Sequence, residues 1–281
     1  MYKKKSLTKI AILTAVVAIG ISITYAQDDE EDPIRELVSR LDLEGYKAVI
    51  KGLAQFGDRR QGTERNRRAV DWIEEQLQAV GCTNTERLHY VFDPEPRPPR
   101  QRRSQSDEIV DLTTSTGGKV GRNGSGPGGS SIYGYRAQTG VNRDLMAQPD
   151  ERIRELNREE PVNGPRTEVY CTKIGTTRPE EMYILGAHMD GHGVNEAVND
   201  DASGMALVME LARIFNSPDV ETEVSIRFAL WNNEETGLNG SYAYVEQRKD
   251  LQGIENPPGS GRYPEPRWLG MIQHDMMLWD H

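Results

Sequence analysis

Cysteine is scarce in this chain: Cys82 and Cys171 are the only two among 281 residues. Two thiols cannot build a Cys-rich zinc site, so any metal here must rest on histidine and carboxylates. A membrane-spanning apolar run is missing as well. The stretch IAILTAVVAIGISI at 10–23 falls short of the roughly 20 residues that a spanning helix needs. Basic charge is in deficit, with 34 Lys and Arg against 44 Asp and Glu and a net charge of -10. Such a surface is a poor partner for nucleic acid, and none is expected.

The short apolar run has a different use. Lys3, Lys4, Lys5 and Lys9 precede or open it, and Thr24-Tyr25-Ala26 follows it with small residues at the positions that a signal peptidase inspects. Residues 1–26 therefore read as a secretory signal cut before Gln27, which leaves no stable membrane anchor. No cysteine follows the run to carry a lipid. The mature chain, 27–281, is expected to be secreted or periplasmic. In an exported protein Cys82 and Cys171 could pair. Sequence does not show their separation, and the expectation is for two unrelated buried thiols.

The length allows one large α/β domain or two smaller ones, and a single domain with an insertion is expected. Apolar residues recur at helical spacing in PIRELVSRL (33–41) and LEGYKAVIKGLAQF (43–56). Thr63 can cap a third helix, whose stripe is Ala69, Val70, Ile73, Leu77 and Val80 and whose stop is Gly81. TERLHYVF (85–92) reads as a strand. From about 93 to 157 the chain turns to Pro, Gly, Ser and Arg, as in RPPRQRR and GRNGSGPGGSS. That composition carries too little apolar surface to offset its ordering entropy, so a low-complexity surface insertion is expected.

Order returns with TEVYCTKI (167–174), EMYILGAH (181–188), ASGMALVMELARIF (202–215), EVSIRFALWN (223–232) and WLGMIQHDM (268–276). These read as strand, strand, helix, strand and strand. The helix is apolar nearly all round and should be sandwiched. Strands that are almost continuous apolar runs imply a sheet covered on both faces. The fold class is thus α/β, three-layer αβα with a mixed, largely parallel central sheet. In such sheets ligands collect beyond the carboxyl ends of the strands. His188 and Asp190, Glu234 and Glu235, and Asp275 all fall at strand ends, while Asp200 and Asp201 precede the buried helix. One imidazole and six carboxylates on one rim call for a multivalent cation, zinc fitting best and two ions fitting the charge better than one.

YILGAHMD (183–190), NDDASG (199–204), WNNEETGLNGS (231–241) and MIQHDM (271–276) together resemble the zinc aminopeptidase family of co-catalytic metallopeptidases, which also takes in glutamate carboxypeptidase and glutaminyl cyclase relatives. The resemblance implies a zinc exopeptidase acting on peptides. It implies that His188 and Asp275 hold one zinc, that Asp200 bridges both ions and that Glu235 holds the other. Glu234 becomes the general base and Asp190 the carboxylate that orients His188. The matching D-D pair implies a cis bond between Asp200 and Asp201, with Asp201 itself outside the ligand set. His89, His192 and His274 are given only strand, loop and neighbour roles. The family's last ligand is a His from beyond the Asp275 motif. No residue here matches it unless His281 does, so the fold and the second zinc site read as incomplete at the C-terminus, and a weak catalyst is expected. A glutaminyl cyclase-like acyltransferase and a non-catalytic binding domain on the same scaffold are the alternatives.

Overall fold

The computed structural model describes residues 32–94 and 145–278. The expected signal segment 1–26, His281 and residues 95–144 of the expected insertion lie outside them. The described residues divide into two units, one ending at Arg40 and the other beginning at Leu41. In the first, helix α1 (Pro33–Ser39) starts where the Asp32 side chain accepts the Ile34 N–H and Pro33 opens the first turn.

The second unit is built on a five-stranded sheet in the order β1-β2-β4-β3-β5. Its strands are β1 (Glu86–Phe92), β2 (Gly164–Lys173), β3 (Arg178–His188), β4 (Val224–Trp231) and β5 (Arg267–Gln273). The sheet is mixed. The β4, β3 and β5 half is parallel, as expected, but β1 with β2 and β2 with β4 run antiparallel.

Alternation along the strands sorts the core into two layers. Val169, Cys171, Leu185, Ala187, Phe228 and Leu230 face one side. There they meet α2 (Leu43–Ala54), α3 (Glu64–Ala79) and α5 (Ser203–Phe215) through Leu53, Ile73, Leu77, Met205 and Val208. Tyr170, Ile184, Ala229 and Trp231 face the other side, where Tyr244 of α6 (Asn239–Arg248) packs on them. Helix α5 is buried from Ser203 to Ala206 and again at most positions to Ile214, because the sheet lies on one side of it and α2 on another.

Two expectations are corrected. Gly81, with φ of +97°, ends α3 and turns the chain so that Cys82 meets the inward-facing Cys171 of β2. The two form a disulfide across 89 residues with Cα atoms 5.8 Å apart, instead of standing as separate thiols. The low-complexity stretch also ends earlier than 157. Helix α4 (Glu151–Leu156) is capped by Asp150 and buries Ile153, and Asn157 is held between the Asp58 N–H and the Asn195 carbonyl. Helix α6 escaped the sequence reading because NGSYAYVEQR has no clear apolar stripe; it is held by Tyr244 and by the close approach of Gly240 to Glu168.

Candidate metal centre

Parallel pairing puts His188 opposite Trp231, so β3 and β4 end level and their following loops leave the sheet side by side. β5 ends two pairs earlier, at Gln273 opposite Gly186, and delivers Asp275 to the same rim. The turn before α5 supplies Asp200.

These elements converge. His188 Nε2 lies 3.1 Å from Asp200 Oδ1 and 3.9 Å from Asp275 Oδ1. One donor atom from each of the three falls within 4.8 Å of the others. Glu234 Oε2 stands 4.0 Å from the same imidazole nitrogen. The His188 ring is closed in at 1 % exposure, whereas the Asp200 side chain is 46 % exposed, so the group opens to solvent from the carboxylate side. A cation held about 2.0–2.2 Å from each donor needs donors about 3–4 Å apart, and the two distances from His188 Nε2 fall in that range. A neutral imidazole with two carboxylates is also a donor set that zinc accepts. Burial opposes a charge on His188, yet Asp200 and Asp275 together hold its pKa well above the usual value. Those carboxylates hold a positive charge where a metal cation would take the proton's place.

Glu235 does not join this group of donors. Burial, and after it the charge of Asp200, push its carboxyl up to about 8. Asp190 takes a different part from the one expected. The His188 Nδ1 partner is the Asp190 backbone carbonyl at 2.8 Å, and the carboxylate stays 3.9 Å away. That carboxylate instead accepts the N–H groups of Glu234 at 2.8 Å and Glu235 at 3.4 Å. It sets the turn that presents both glutamates. Burial pushes Asp190 up to about 6, with His188 pulling the other way.

The bond between Asp200 and Asp201 is cis. Asp201 points away from the donor group and is fully buried. Its Oδ2 accepts the His188 N–H at 3.1 Å and its Oδ1 accepts Gly204 N–H at 2.8 Å and Met276 N–H at 3.3 Å. A Cβ on Gly204 would collide with that carboxylate, which explains the glycine in NDDASG. His89 bonds Thr167 and His274 touches the Gly186 carbonyl, both away from the donors.

Sequence reasoning passed over several polar residues beneath the rim. Asn66 and Asn232 exchange amide hydrogen bonds at 3.1 and 2.9 Å under the Glu234 turn. Arg59 lies buried beside the loop after His188. A buried Asn or Arg looks in sequence like any solvated polar residue, and only Asn232, two residues before Glu234, stood inside a recognisable motif.

Residues 169–277 match the model for "Peptidase family M28". The "Probable lipoprotein aminopeptidase LpqL" of Mycobacterium tuberculosis is 40 % identical over 82 residues, covering 29 % of this chain and 16 % of that protein. An "Aminopeptidase" of Pseudomonas aeruginosa (strain UCBPP-PA14) is 36 % identical over 98 residues, 32 % of this chain and 18 % of its own length. The chain is a relative of the zinc aminopeptidases. A "Probable zinc metalloprotease" of Pyricularia oryzae is 36 % identical over 100 residues, 31 % of this chain and 20 % of that protein. The aligned stretches thus span about a fifth or less of these relatives' length. The aminopeptidase from Aneurinibacillus sp. strain AM-1 has the same fold, with a TM-score of 0.51 at 20 % identity over 86 % of this chain and 72 % of that structure. His188, Asp190, Asp200, Glu234, Glu235 and Asp275 all fall inside the matched residues.

Proposed function

We propose that the chain carries the catalytic segment of an exported zinc exopeptidase, an aminopeptidase that removes residues from peptide N-termini. One observation carries the reading: His188, Asp200 and Asp275 gather their donor atoms within 4.8 Å beside Glu234, inside the segment that matches a peptidase family. Zinc is favoured by the donor set and by the name of the fungal relative. Export rests on the signal-like residues 1–26 and on the lipoprotein name of the mycobacterial relative. Among the described residues no helix is long and apolar enough to cross a membrane. Residues 27–281 are taken as one peptidase domain.

His188, Asp200 and Asp275 would hold the zinc ion, and Asp200 with Glu235 would hold a second. Bound zinc supplies Lewis-acid charge that polarises a carbonyl and acidifies water. The other work falls to the chain. Glu234, free of the three-donor group, takes a proton from the attacking water and passes it to the departing amine. Asp190 keeps that glutamate in place through the backbone of the turn, and its carbonyl fixes the His188 tautomer by accepting from Nδ1–H, so that Nε2 presents its lone pair to the metal.

The test is made on the purified full chain with zinc supplied. Expected are bound zinc and chelator-sensitive release of p-nitroaniline from leucine p-nitroanilide. Glu234→Gln should lower kcat about 10²- to 10⁴-fold with zinc content unchanged. A chain that binds no zinc overturns the metal reading. Unaltered hydrolysis by Glu234→Gln overturns its assignment as the base.

A further inference from the structure

We infer that Arg59 is a positioning residue that presets the loop between His188 and Asp200 for the cation. The inference rests on the metal reading above and adds a residue to it. The loop leaves β3 directly after His188 and runs through GHGVNEAVN to Asp200, with little apolar surface of its own to fix its path. Arg59 supplies what the loop lacks. Its Nε donates to the Met189 carbonyl at 2.9 Å, at the start of the loop. Its Nη1 donates to Glu196 at 2.8 Å and its Nη2 to Ala197 at 2.8 Å, at the far end. The remaining contacts of Nη1, to the carbonyls of Gly57 at 3.1 Å and Leu53 at 3.3 Å, tie the guanidinium to the end of α2. One rigid planar group therefore spans both ends of the loop that carries His188 into Asp200.

The chemistry of the partners argues for a special role. Arg59 is fully buried, yet among the described residues its hydrogen bonds all go to backbone carbonyls and none to a carboxylate. A buried cation without a bonded counter-charge is costly, and the cost is reduced here by the field of nearby acids. Burial draws its pKa down to about 10, while Asp58, Asp190, Asp201 and Asp200 oppose that shift, so the side chain stays charged at neutral pH. Lysine could not substitute fully, because its ammonium is a point donor without the fork that reaches both ends at once. The same residue also registers the other half of the rim. Its carbonyl accepts the Asn66 amide at 2.8 Å, and Asn66 pairs with Asn232, two residues before Glu234.

Partners that orient metal ligands typically affect affinity about 10- to 100-fold. The test measures Co²⁺ binding to the full chain by its visible absorption band, and amide exchange of Gly191 and Ala202 in the metal-free chain. Arg59→Met should weaken Co²⁺ binding about 10- to 100-fold, change the band shape and speed exchange at both amides. Arg59→Lys should recover part of the affinity. Ile73→Val, a core trim remote from the loop, should stay within about two-fold of wild type on every measure. Equal affinity and exchange in wild type and Arg59→Met overturn the proposal, as does an equal loss in Ile73→Val. Should Arg59→Met not fold, Arg59→Lys decides: weakened binding supports the role, and wild-type affinity overturns it. A wild-type chain that takes up no Co²⁺ overturns the metal reading instead, and with it the purpose assigned to Arg59.

Discussion

The carboxylate of Asp201 accepts the backbone N–H of His188 at 3.1 Å, so the residue next to the proposed bridging ligand holds the backbone of another ligand. The same carboxylate holds the start of α5 and the segment after β5 through Gly204 and Met276. Three ligand-bearing segments thus depend on one buried side chain. Asp201→Ala leaves three backbone donors without their acceptor. It is expected to destabilise the chain by about 2–4 kcal/mol, measured by urea unfolding. Asp201→Asn keeps an acceptor oxygen and should lose clearly less.

The three-donor group implies one tight site. Zinc titration of the metal-stripped chain should show one strongly held ion per chain, with any second ion held more loosely. Asp200→Asn and Asp275→Asn should each weaken the tight site, while Glu235→Gln should leave it unchanged, because Glu235 stands outside the group. Loss of the tight site in Glu235→Gln would contradict that division.

Glu168 offers a pH signature. It is fully buried, and among the described residues its Oε1 has no hydrogen-bond partner and its Oε2 accepts only the Asn232 N–H at 3.3 Å. Burial pushes its pKa from 4.5 up to about 8, with Asn232 lowering it and Asp190 raising it. Between these values the folded chain keeps a proton that the unfolded chain has lost, so stability falls with rising pH. The contribution is complete below pH 4.5 and gone above about 8. Urea midpoints across this range should slope less in Glu168→Gln than in wild type, since glutamine does not titrate. Parallel slopes would exclude Glu168 as a source.

The disulfide between Cys82 and Cys171 closes a loop of 89 residues. By loop-closure entropy it should contribute about 4–5 kcal/mol, and adding reductant should lower Tm by about 8–20 °C. The Cys82→Ala, Cys171→Ala pair should show the same loss and no further response to reductant.

The chain's own pattern determined its layers. Alternating residues in YILGAH and SIRFALW, and the all-round apolar surface of MALVMELARIF, dictate strands and a sandwiched helix by local burial alone. The rule that ligands gather at strand ends then placed His188, Glu234, Glu235, Asp200 and Asp275 on one rim, and the motifs gave them proposed parts. Tertiary structure decided what depends on separation through space. It gathered His188, Asp200 and Asp275 and left Glu235 aside, because donor spacing follows from how three loops leave the sheet. It made Asp190 act on the imidazole through its carbonyl, a choice of atom that no spacing encodes. It joined Cys82 to Cys171, since the turn at Gly81 brings α3 back to a strand 89 residues away. It also buried Arg59, one of two adjacent arginines in GDRRQG that sequence cannot tell apart: Arg60 remains part-exposed, while Arg59 turns inward to five carbonyls from the end of α2 and from the loop after β3.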